Sequence, residues 1–549
     1  MNRSKNKQRL QTDTFDLVII GGGASGAGCA LDAATRGLKV ALIERDDFAS
    51  GTSSRSTKLI HGGVRYLEQA FKNFDFAQLR QVRHGLEERH IVLNNAPHLA
   101  RPLGLITPVF SWLEGLYFTI GLTLYGWFSR HDSLPKAKWL SKKETLARMP
   151  MLTPNLHSSV LYYDGQLDDS RYCLALIQTA DEAGAVVINY TEAIAFEHNS
   201  ARKLSALRVR DQLTGQSITI PSRLFVNCTG PYADAIRQLA NPDLANRIRP
   251  SKGVHVTLPN HVLQSTDALL IPKTPDGRVI FSIPFAGKVI VGTTDEEYQT
   301  LAEEPTLQTQ EAHFLLDTLA PYLAKKPDMS EIEAGFGGIR PLIAADENSK
   351  TTKRLVRDHE VEHDAASNLI SLLGGKWTTY RLMAKDTIDK VCELLDETTR
   401  TCQTASQLLV GAEHYDPTGW LGLISVYNIS EEAARHLNHT YGARASQVAD
   451  ITREQDTYAE PLLAGYPYLK AEVIYQARYE MACQPRDVLA RRLRLEILDW
   501  KATETATLIV AALLAEALDE PIAGLQLAIN QYEQQINGFQ AAINSQLIH

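Results

Sequence analysis

Cysteine is scarce in this chain, and the few cysteines are not closely paired. The 549 residues contain six cysteines, and no two of them form a C-x-x-C motif. Small secreted proteins concentrate cysteine in disulfides, and structural zinc sites use closely spaced cysteine pairs. We therefore expect a protein of a reducing compartment, without a metal site.

An excess of positive charge is also missing. The formal net charge is −8, whereas general nucleic-acid binders carry a basic field, so no nucleic-acid partner is expected. Hydrophobic residues make up 44% of the chain and charged residues 22%, as in an ordinary folded protein. A chain of this length exceeds one hydrophobic core, and two or three domains are predicted.

Apolar runs long enough to predict a membrane-spanning helix are lacking as well. The polar residues 1–13 have no apolar centre of a secretory signal, and we predict a flexible arm there. Pro108 and Glu114 interrupt the apolar stretch 105–128. Its main part, Leu113 to Phe128, has 16 residues, and a spanning helix needs about 20. We interpret this part as a helix that is buried or lies at a membrane interface.

What the sequence does contain is a nucleotide-binding pattern over residues 15–44. Gly21, Gly23 and Gly26 fit G-x-G-x-x-G between a predicted strand and a predicted helix. These glycines permit the turn, admit a pyrophosphate and let helix pack on strand, while the helix N-terminus supplies N–H groups. Glu44 ends the next strand, where a carboxylate can bind ribose. An ordinary strand–helix turn is the alternative, but the acidic residue in register favours a nucleotide.

The following segment distinguishes a flavin from a nicotinamide. Both cofactors share the glycine fingerprint, but a flavin extends further from the turn and needs donors along its length. The stretch TSSRSTKLIHGG, residues 52–63, supplies five hydroxyl groups together with basic side chains. A solvated loop could have this composition. Because it follows the fingerprint, we interpret it as a contact for pyrophosphate, ribityl chain and flavin ring.

Four residues further along the chain are candidates for a reacting site. Arg340 and Arg357 lie at predicted strand ends, where a surface salt bridge is the simpler interpretation. Lys376 follows two glycines and opens a predicted helix, whose N-terminus could stabilise an anionic reduced flavin. A plain glycine-rich turn is its alternative. His255 lies on an apolar strand, where a core histidine is usual.

The domains are predicted to interleave along the chain. Strand patterns fill residues 248–300, and helix formers dominate after about residue 405. The predicted order is a flexible arm 1–13, a first FAD-binding part 14–95, a substrate- or membrane-facing insertion 96–150, a second FAD-binding part 151–250, a substrate domain 251–330, a third FAD-binding part 331–400 and a helical C-terminal domain 401–549.

Several motifs resemble those of one enzyme family. The stretch LVIIGGGASGAGCALDAATRGLKVALIERDDFASGTSSRSTKLIHGGVRYLE, residues 17–68, resembles FAD-dependent glycerol-3-phosphate dehydrogenases. The motifs CTGPYAD, SKGVHVTLP, VIVGTTDEEY, GFGGIRPL and LLGGKWTTYR follow in the family's order, and residues 440–500 resemble its C-terminal helical domain. Leu493 and Trp377 depart from the pattern, since the family more often has Thr and Leu there. The calcium-binding extension of mitochondrial members is absent, so we expect the bacterial form.

The resemblance implies an α/β protein with a glutathione-reductase-like FAD-binding fold of the amino-acid-oxidase type. An antiparallel-sheet substrate domain and a helical C-terminal domain complete the implied architecture. The cofactor would be non-covalently bound FAD. The residues expected to contact it are Gly21, Gly22, Gly23, Ala24, Ser25, Gly26, Glu44, Arg45, Thr52, Ser53, Ser54, Lys58, Leu59, His61, Gly62, Ala193, Thr229, Gly230, Gly375, Lys376, Thr378 and Thr379.

The implied substrate is sn-glycerol 3-phosphate, whose phosphate suits the forked donors of arginine. Arg340 and Arg357 would clamp the phosphate, and His255 is the first candidate partner for the 2-hydroxyl group. The expected substrate contacts are Arg65, Tyr66, His255, Arg340, Arg357, Lys376 and Thr378. The expected catalytic residues are Arg65, His255, Arg340 and Lys376.

The implied reaction forms dihydroxyacetone phosphate, with hydride transfer to FAD and electrons passed on to a membrane quinone. A cytoplasmic protein attached peripherally, as a monotopic protein, to the inner face of the cell membrane would follow, and a homodimer is a further hypothesis. Two alternatives stay open: an oxidase of the same fold that uses oxygen, and a flavin-binding sensor or scaffold without turnover. The basic residues at 65, 255, 340, 357 and 376 argue against the sensor.

Overall fold

The computed structural model describes most of the chain. The described residues are 1–63, 76–127, 134–272, 274, 277–344 and 359–544. Three predicted substrate contacts, Arg65, Tyr66 and Arg357, lie outside them.

Helices and strands are interspersed through the first three quarters of the chain. The helices within the described residues are α1 (Arg3–Thr12), α2 (Ala24–Thr35), α3 (Phe76–Asn95), α4 (Trp112–Trp127), α5 (Lys142–Arg148), α6 (Asp169–Glu182), α7 (Ala233–Ala240), α8 (Thr309–Leu319), α9 (Tyr380–Leu394), α10 (Trp420–Tyr427), α11 (Glu431–Tyr441), α12 (Ala445–Ile451), α13 (Lys470–Glu480), α14 (Trp500–Leu518) and α15 (Gln526–Asn544).

The strands form two sheets. They are β1 (Phe15–Ile20), β2 (Val40–Ile43), β3 (Leu59–Ile60), β4 (Ala100–Val109), β5 (Lys138–Ser141), β6 (Ser158–Leu167), β7 (Val186–Ile188), β8 (Thr191–His198), β9 (Leu204–Asp211), β10 (Ser217–Asn227), β11 (Ile248–Pro259), β12 (Ala268–Ile271), β13 (Ile280–Phe285), β14 (Lys288–Gly292), β15 (Glu296–Glu297), β16 (Ala334–Ile343), β17 (His359–Asp364) and β18 (Leu369–Gly374).

The first sheet has the order β17-β18-β10-β1-β2-β7, with β9 paired to β10 and β8 to β9. Its strands from β18 to β7 are parallel, and β17 is antiparallel to β18. Leu17, Val18 and Ile19 on β1 are fully buried, as expected for a strand covered on both faces. Helix α2 packs against α6 and α9. The carboxyl ends of the parallel strands share one edge, where open α/β sheets bind ligands.

The second sheet has the order β15-β11-β14-β13-β12-β4-β6-β3, with β16 paired to β11 and β5 to β6. Its pairs are antiparallel apart from β12 with β4. The sheet takes β3 to β6 from the first part of the chain, so it includes more than the predicted substrate domain 251–330. The reason is a long-range pairing of β4 with β6 over ten residues, which no local pattern reveals.

The N-terminal residues differ from the predicted flexible arm, because they form helix α1. Asn2 caps the helix by accepting a hydrogen bond from the backbone N–H of Lys5. Leu10 is fully buried, and Arg3 and Lys7 form ion pairs with Asp211 on β9. One apolar anchor and two ion pairs hold a segment whose average composition is strongly polar.

The helical region after residue 400 contacts the parts of the molecule around both sheets. Val254 and Val256 of β11 share a hydrophobic core with Val473 of α13. The π-helical turn Asp487–Arg492 directs Arg492 to Asp47, in the first sheet's half of the molecule. The two nitrogens Nη1 and Nη2 donate to the Asp47 carboxylate at 2.7 and 3.1 Å. Among the described residues, no helix is both long and apolar enough to span a bilayer.

Candidate active site

A cavity of about 1060 Å³ lies where the two sheets meet, at the carboxyl ends of β1 and β10. This volume is at the upper end for small-molecule sites, as a dinucleotide with a substrate requires. Most of the predicted site residues that the structure describes line it: Gly21, Gly23, Ala24, Ser25, Glu44, Arg45, Thr52, Ser53, Leu59, His61, Gly62, Ala193, Thr229, Gly230, His255, Arg340, Gly375, Lys376 and Thr378.

The glycine turn forms a close-fitting cradle at one end of the cavity. Gly21 has a φ of +111°, and a Cβ atom on Gly26 would overlap the Gly21 carbonyl oxygen. A Cβ atom on Gly23 would lie 2.8 Å from the Ser53 hydroxyl, which accepts a hydrogen bond from the Ala24 N–H at 2.9 Å. The turn therefore has room for a phosphate but not for side chains, and Ser53 brings the 52–63 segment to it.

Glu44 lies beside this turn with its carboxylate held by the backbone. One oxygen accepts from the Gly22 N–H at 2.6 Å and the other from the Asp46 N–H at 2.9 Å. Burial raises the pKa of Glu44 to about 7, although both hydrogen bonds oppose the shift. Because each carboxylate oxygen has a second lone pair, Glu44 can still accept hydrogen bonds from ribose hydroxyls.

His255, on β11, is the best-positioned titratable group in the cavity wall. Its ring stacks on Phe336 with 4.7 Å between centroids and 13° between planes. Its Nε2 shares a hydrogen bond of 3.0 Å with the Thr57 hydroxyl. Burial, together with the positive charges of Lys58 and Arg340, holds the pKa of His255 well below its usual range. The imidazole is therefore neutral at physiological pH and able to accept a proton.

The Nδ1 atom of His255 is buried, and no described residue provides it with a hydrogen-bond partner. A buried polar atom without a partner costs about 1–3 kcal/mol. This is consistent with a bound molecule that supplies the missing hydrogen-bond partner of the ring. The backbone of Gly292 lies against the other side of the ring, because a Cβ atom there would overlap the imidazole.

Arg340, on β16, lies flat over the backbone of Gly253 on β11. Its guanidinium donates to the Thr293 hydroxyl at 3.1 Å, to the Thr294 carbonyl at 3.0 Å and to the Asp295 carboxylate at 3.3 Å. These contacts fix the guanidinium in the cavity wall near His255, whose pKa its charge lowers. The arrangement fixes a guanidinium group in the cavity wall.

Comparisons with known proteins now identify the family. The family of FAD dependent oxidoreductases matches residues 16–385, and the C-terminal domain of alpha-glycerophosphate oxidase matches residues 402–520. The mitochondrial glycerol-3-phosphate dehydrogenase of Arabidopsis thaliana is 40% identical over 525 residues, which cover 92% of this chain and 83% of that protein. The chain belongs to the FAD-dependent glycerol-3-phosphate dehydrogenase family.

Further relatives support the same family. The mitochondrial glycerol-3-phosphate dehydrogenase of Homo sapiens is 38% identical, over 92% of this chain and 71% of that protein. The crystal structure of the Bacillus halodurans glycerol-3-phosphate dehydrogenase complexed with FAD has a TM-score of 0.78 at 27% identity, covering 100% of this chain and 98% of that one. The predicted fold and the predicted FAD cofactor are confirmed.

Trp377 is one of the two residues at which this glycerol-3-phosphate dehydrogenase family member departs from the family's motifs. Gly374 and Gly375 have φ values of +69° and +92°, and Lys376 then precedes the 3₁₀ turn Trp377–Thr379 before α9. The indole Nε1 of Trp377 donates to the Ser53 carbonyl at 2.9 Å. A leucine could not make this bond, so Trp377 ties the turn to the 52–63 segment.

Five predicted cofactor contacts lie behind the cavity wall. Lys58 has a φ of +62° and is fully buried. Its ammonium donates to the Asp169 carboxylate at 2.8 Å, so it faces away from the cavity. Burial lowers the pKa of Lys58 to about 8, although Asp169 opposes the shift. The five predicted cofactor contacts that do not line the cavity are Gly22, Gly26, Ser54, Lys58 and Thr379.

Two residues that contact His255 were missed by sequence reasoning. Phe336 stacks on His255, and Thr57 bonds to the same ring. Both lie inside quoted family motifs, yet the partnership depends on strand register. β11 and β16 pair with His255 opposite Phe336, and this pairing spans 81 residues of chain. A prediction that the stretches GVHVTLP and GFGGIRPL pair as neighbouring strands would have placed Phe336 beside His255.

Proposed function

We propose that this chain oxidises sn-glycerol 3-phosphate to dihydroxyacetone phosphate and passes the electrons to a membrane quinone. The observation that carries the reaction is the pairing of a neutral imidazole, His255, with a fixed guanidinium, Arg340, in the wall of the cavity that the glycine turn also lines. A secondary alcohol that carries a phosphate needs both groups. One accepts the hydroxyl proton, and the other binds the dianion.

In this proposal the chain's residues bind, orient and deprotonate the substrate. When bound, FAD supplies the acceptor for the hydride that leaves C2. His255 accepts the proton of the 2-hydroxyl group at a ring nitrogen, so the alcohol loses a hydride and a proton and becomes a ketone. Arg340 holds the phosphate, together with Arg65, Tyr66 and Arg357. Lys376 and Thr378, at the N-terminus of α9, orient the substrate and favour negative charge on the reduced cofactor.

The reaction is tested by anaerobic reduction of the purified yellow protein. Glycerol 3-phosphate should bleach the flavin absorbance, with one dihydroxyacetone phosphate formed per flavin. Glycerol without the phosphate serves as the matched control and should leave the absorbance almost unchanged. A protein that stays yellow with glycerol 3-phosphate would contradict the proposed reaction and favour a sensor without turnover.

The proposal of a membrane quinone as electron acceptor is based on helix α4. One face of this helix is apolar yet exposed, with Trp112 59%, Leu113 69% and Ile120 53% accessible. Monomeric proteins rarely leave contiguous apolar surface of this kind without a partner. Aromatic residues such as Trp112 and Tyr117 favour the interface between lipid and water. We assign this face to the inner surface of the cell membrane.

The opposite face of α4 reaches the 52–63 segment. The buried Tyr125 hydroxyl accepts a hydrogen bond from the Gly62 N–H at 2.7 Å and donates to Asp164 at 3.1 Å. The helix with the exposed apolar face therefore directly contacts a residue that lines the cavity, which offers a path for electrons to a lipid-soluble acceptor.

Replacing Leu116 and Ile120 with Glu tests this proposal. Both are exposed, so the double variant should fold and keep FAD and its activity with a soluble dye. It should lose binding to lipid vesicles and quinone reduction. Leu508→Glu with Leu527→Glu is the matched control, since both leucines are exposed on α14 and α15. Vesicle binding and quinone reduction at the parental level would contradict the assignment, and formation of hydrogen peroxide instead would favour an oxidase.

A further inference from the structure

A buried charged cluster connects the helical C-terminal region with the 52–63 segment. Its centre is Arg494, which follows the π-helical turn, has a φ of 65° and is 3% exposed. Its Nη2 donates to the Ser54 carbonyl at 2.7 Å and to the Asp169 carboxylate at 2.9 Å. Its Nη1 donates to the Ala490 carbonyl at 2.8 Å. One guanidinium thus joins the C-terminal region, helix α6 and the 52–63 segment.

Asp169 extends this connection to two more residues of the segment. Its second oxygen accepts from the Ser56 N–H at 2.9 Å, the Ser56 hydroxyl at 2.7 Å and the Lys58 ammonium at 2.8 Å. Burial alone would raise the pKa of Asp169, but the charges of Lys58 and Arg494 lower it. The carboxylate therefore stays ionised and holds the segment at positions 56 and 58, while Arg494 holds it at position 54.

Residues between and beside these anchors line the cavity, as does the anchor Ser56 itself. Ser53, Thr57 and Leu59 line it, and Thr57 bonds to His255. Anchored and cavity-lining positions thus interleave along a single short stretch. Arg494 does not line the cavity, so any effect on a bound cofactor must act through the segment.

We propose that Arg494 is a positioning residue for FAD, and that the helical C-terminal region holds residues 53–59 in the conformation that the cofactor requires. This inference rests on the proposed placement of FAD along the cavity and goes beyond the proposed reaction. It gives the C-terminal region a role in cofactor binding, although most of that region is remote from the cavity.

The test compares two buried arginines that join the same parts of the molecule. Arg171, on α6, forms a two-bond pair with Glu480 of α13 at 2.7 and 2.9 Å and does not line the cavity. Arg494→Gln and Arg171→Gln should both lower the melting temperature. Only Arg494→Gln should raise the dissociation constant of FAD, by tenfold or more, and shift the flavin absorbance bands. Parental FAD affinity in Arg494→Gln, or equal weakening in Arg171→Gln, would overturn the inference.

If Arg494→Gln fails to fold, Arg494→Lys provides the test. Lysine keeps the charge but lacks the fork that bridges Ser54 and Asp169. Amide hydrogens of residues 53–59 should exchange faster than in the parent, and FAD should dissociate faster. Unchanged exchange and unchanged FAD release would overturn the inference. Because the readout is FAD binding, a parent that binds FAD without being reduced by glycerol 3-phosphate contradicts the reaction alone.

Discussion

The two walls of the cavity are built from different kinds of contact. The first wall is centred on the glycine turn and comes largely from residues of the stretch 21–62, and its shape depends on glycine conformations and backbone N–H groups. The second wall carries His255 on β11 and Arg340 on β16, two paired strands of the second sheet that lie far apart in the chain. The first wall should therefore be sensitive to added side-chain atoms, and the second to the loss of a charge or a ring nitrogen.

The largest expected effect comes from adding one methyl group to the first wall. Gly26→Ala places a Cβ atom on the Gly21 carbonyl oxygen, so the turn must open and FAD should be lost. The measurement is the ratio of flavin to protein absorbance after purification. Gly538→Ala on α15 is the control, because a Cβ atom there would meet nothing within 4 Å and the residue does not line the cavity. A Gly26→Ala protein with a full complement of FAD would contradict the expected sensitivity of the first wall to added side-chain atoms.

In the second wall, the largest effect is expected for His255→Gln. Loss of a general base lowers the rate by about 10²–10⁴-fold, so kcat/KM for glycerol 3-phosphate should fall by that factor. FAD content should stay parental, which distinguishes this variant from Gly26→Ala. Near-parental turnover would show that another residue accepts the proton.

The pH profile of the parent sharpens the same assignment. The neutral ring is the active form, and burial with nearby positive charge holds the pKa of His255 well below its usual range. Activity should therefore persist as pH falls through the ordinary histidine pKa of about 6.5, and decline only at lower pH. A decline of kcat/KM centred at the ordinary value would contradict a buried, neutral His255 as the base.

Arg340→Ala should have the next largest effect. A charge-assisted hydrogen bond contributes about 1.5–3 kcal/mol, which corresponds to a fall in kcat/KM of roughly tenfold to 150-fold. Arg340→Lys keeps the charge without the fork and should lie between parent and alanine variant. FAD content should not change. If the alanine variant discriminated glycerol 3-phosphate from glycerol as well as the parent, the phosphate would have to bind elsewhere.

The smallest effect is expected for Thr57→Val. In the parent, Thr57 links the two walls through its hydrogen bond to His255. Valine keeps the size of the side chain but removes the 3.0 Å hydrogen bond to His255. A neutral hydrogen bond contributes about 0.5–1.5 kcal/mol, so kcat/KM should fall roughly twofold to tenfold and the acid limb of the pH profile should move. Thr57→Ser should restore both. A valine variant with the parental pH profile would leave Thr57 with a packing role alone.

The difference between the walls also explains what the sequence could predict. The glycine turn with Glu44 is a local pattern, so its residues and the FAD fold were predicted from spacing and family motifs. The direction of Lys58 depends on a positive φ and on Asp169, 111 residues away, which no spacing reveals. Helix α1 was missed because one buried leucine, Leu10, anchors a segment of polar average composition. Arg65, Tyr66 and Arg357 stay predictions.

The contact between Arg494 and Ser54 sets a waiting time during synthesis of the chain. These residues are 440 positions apart. A ribosome adds about 5–20 residues per second, so the guanidinium appears roughly 20–90 s after its carbonyl partner. During that interval the glycine turn, β1 and β2 can already be folded. The ion pair of Lys58 with Asp169 still lacks its second cation, Arg494. On the proposal above, residues 53–59 therefore reach the conformation that FAD requires only after this interval.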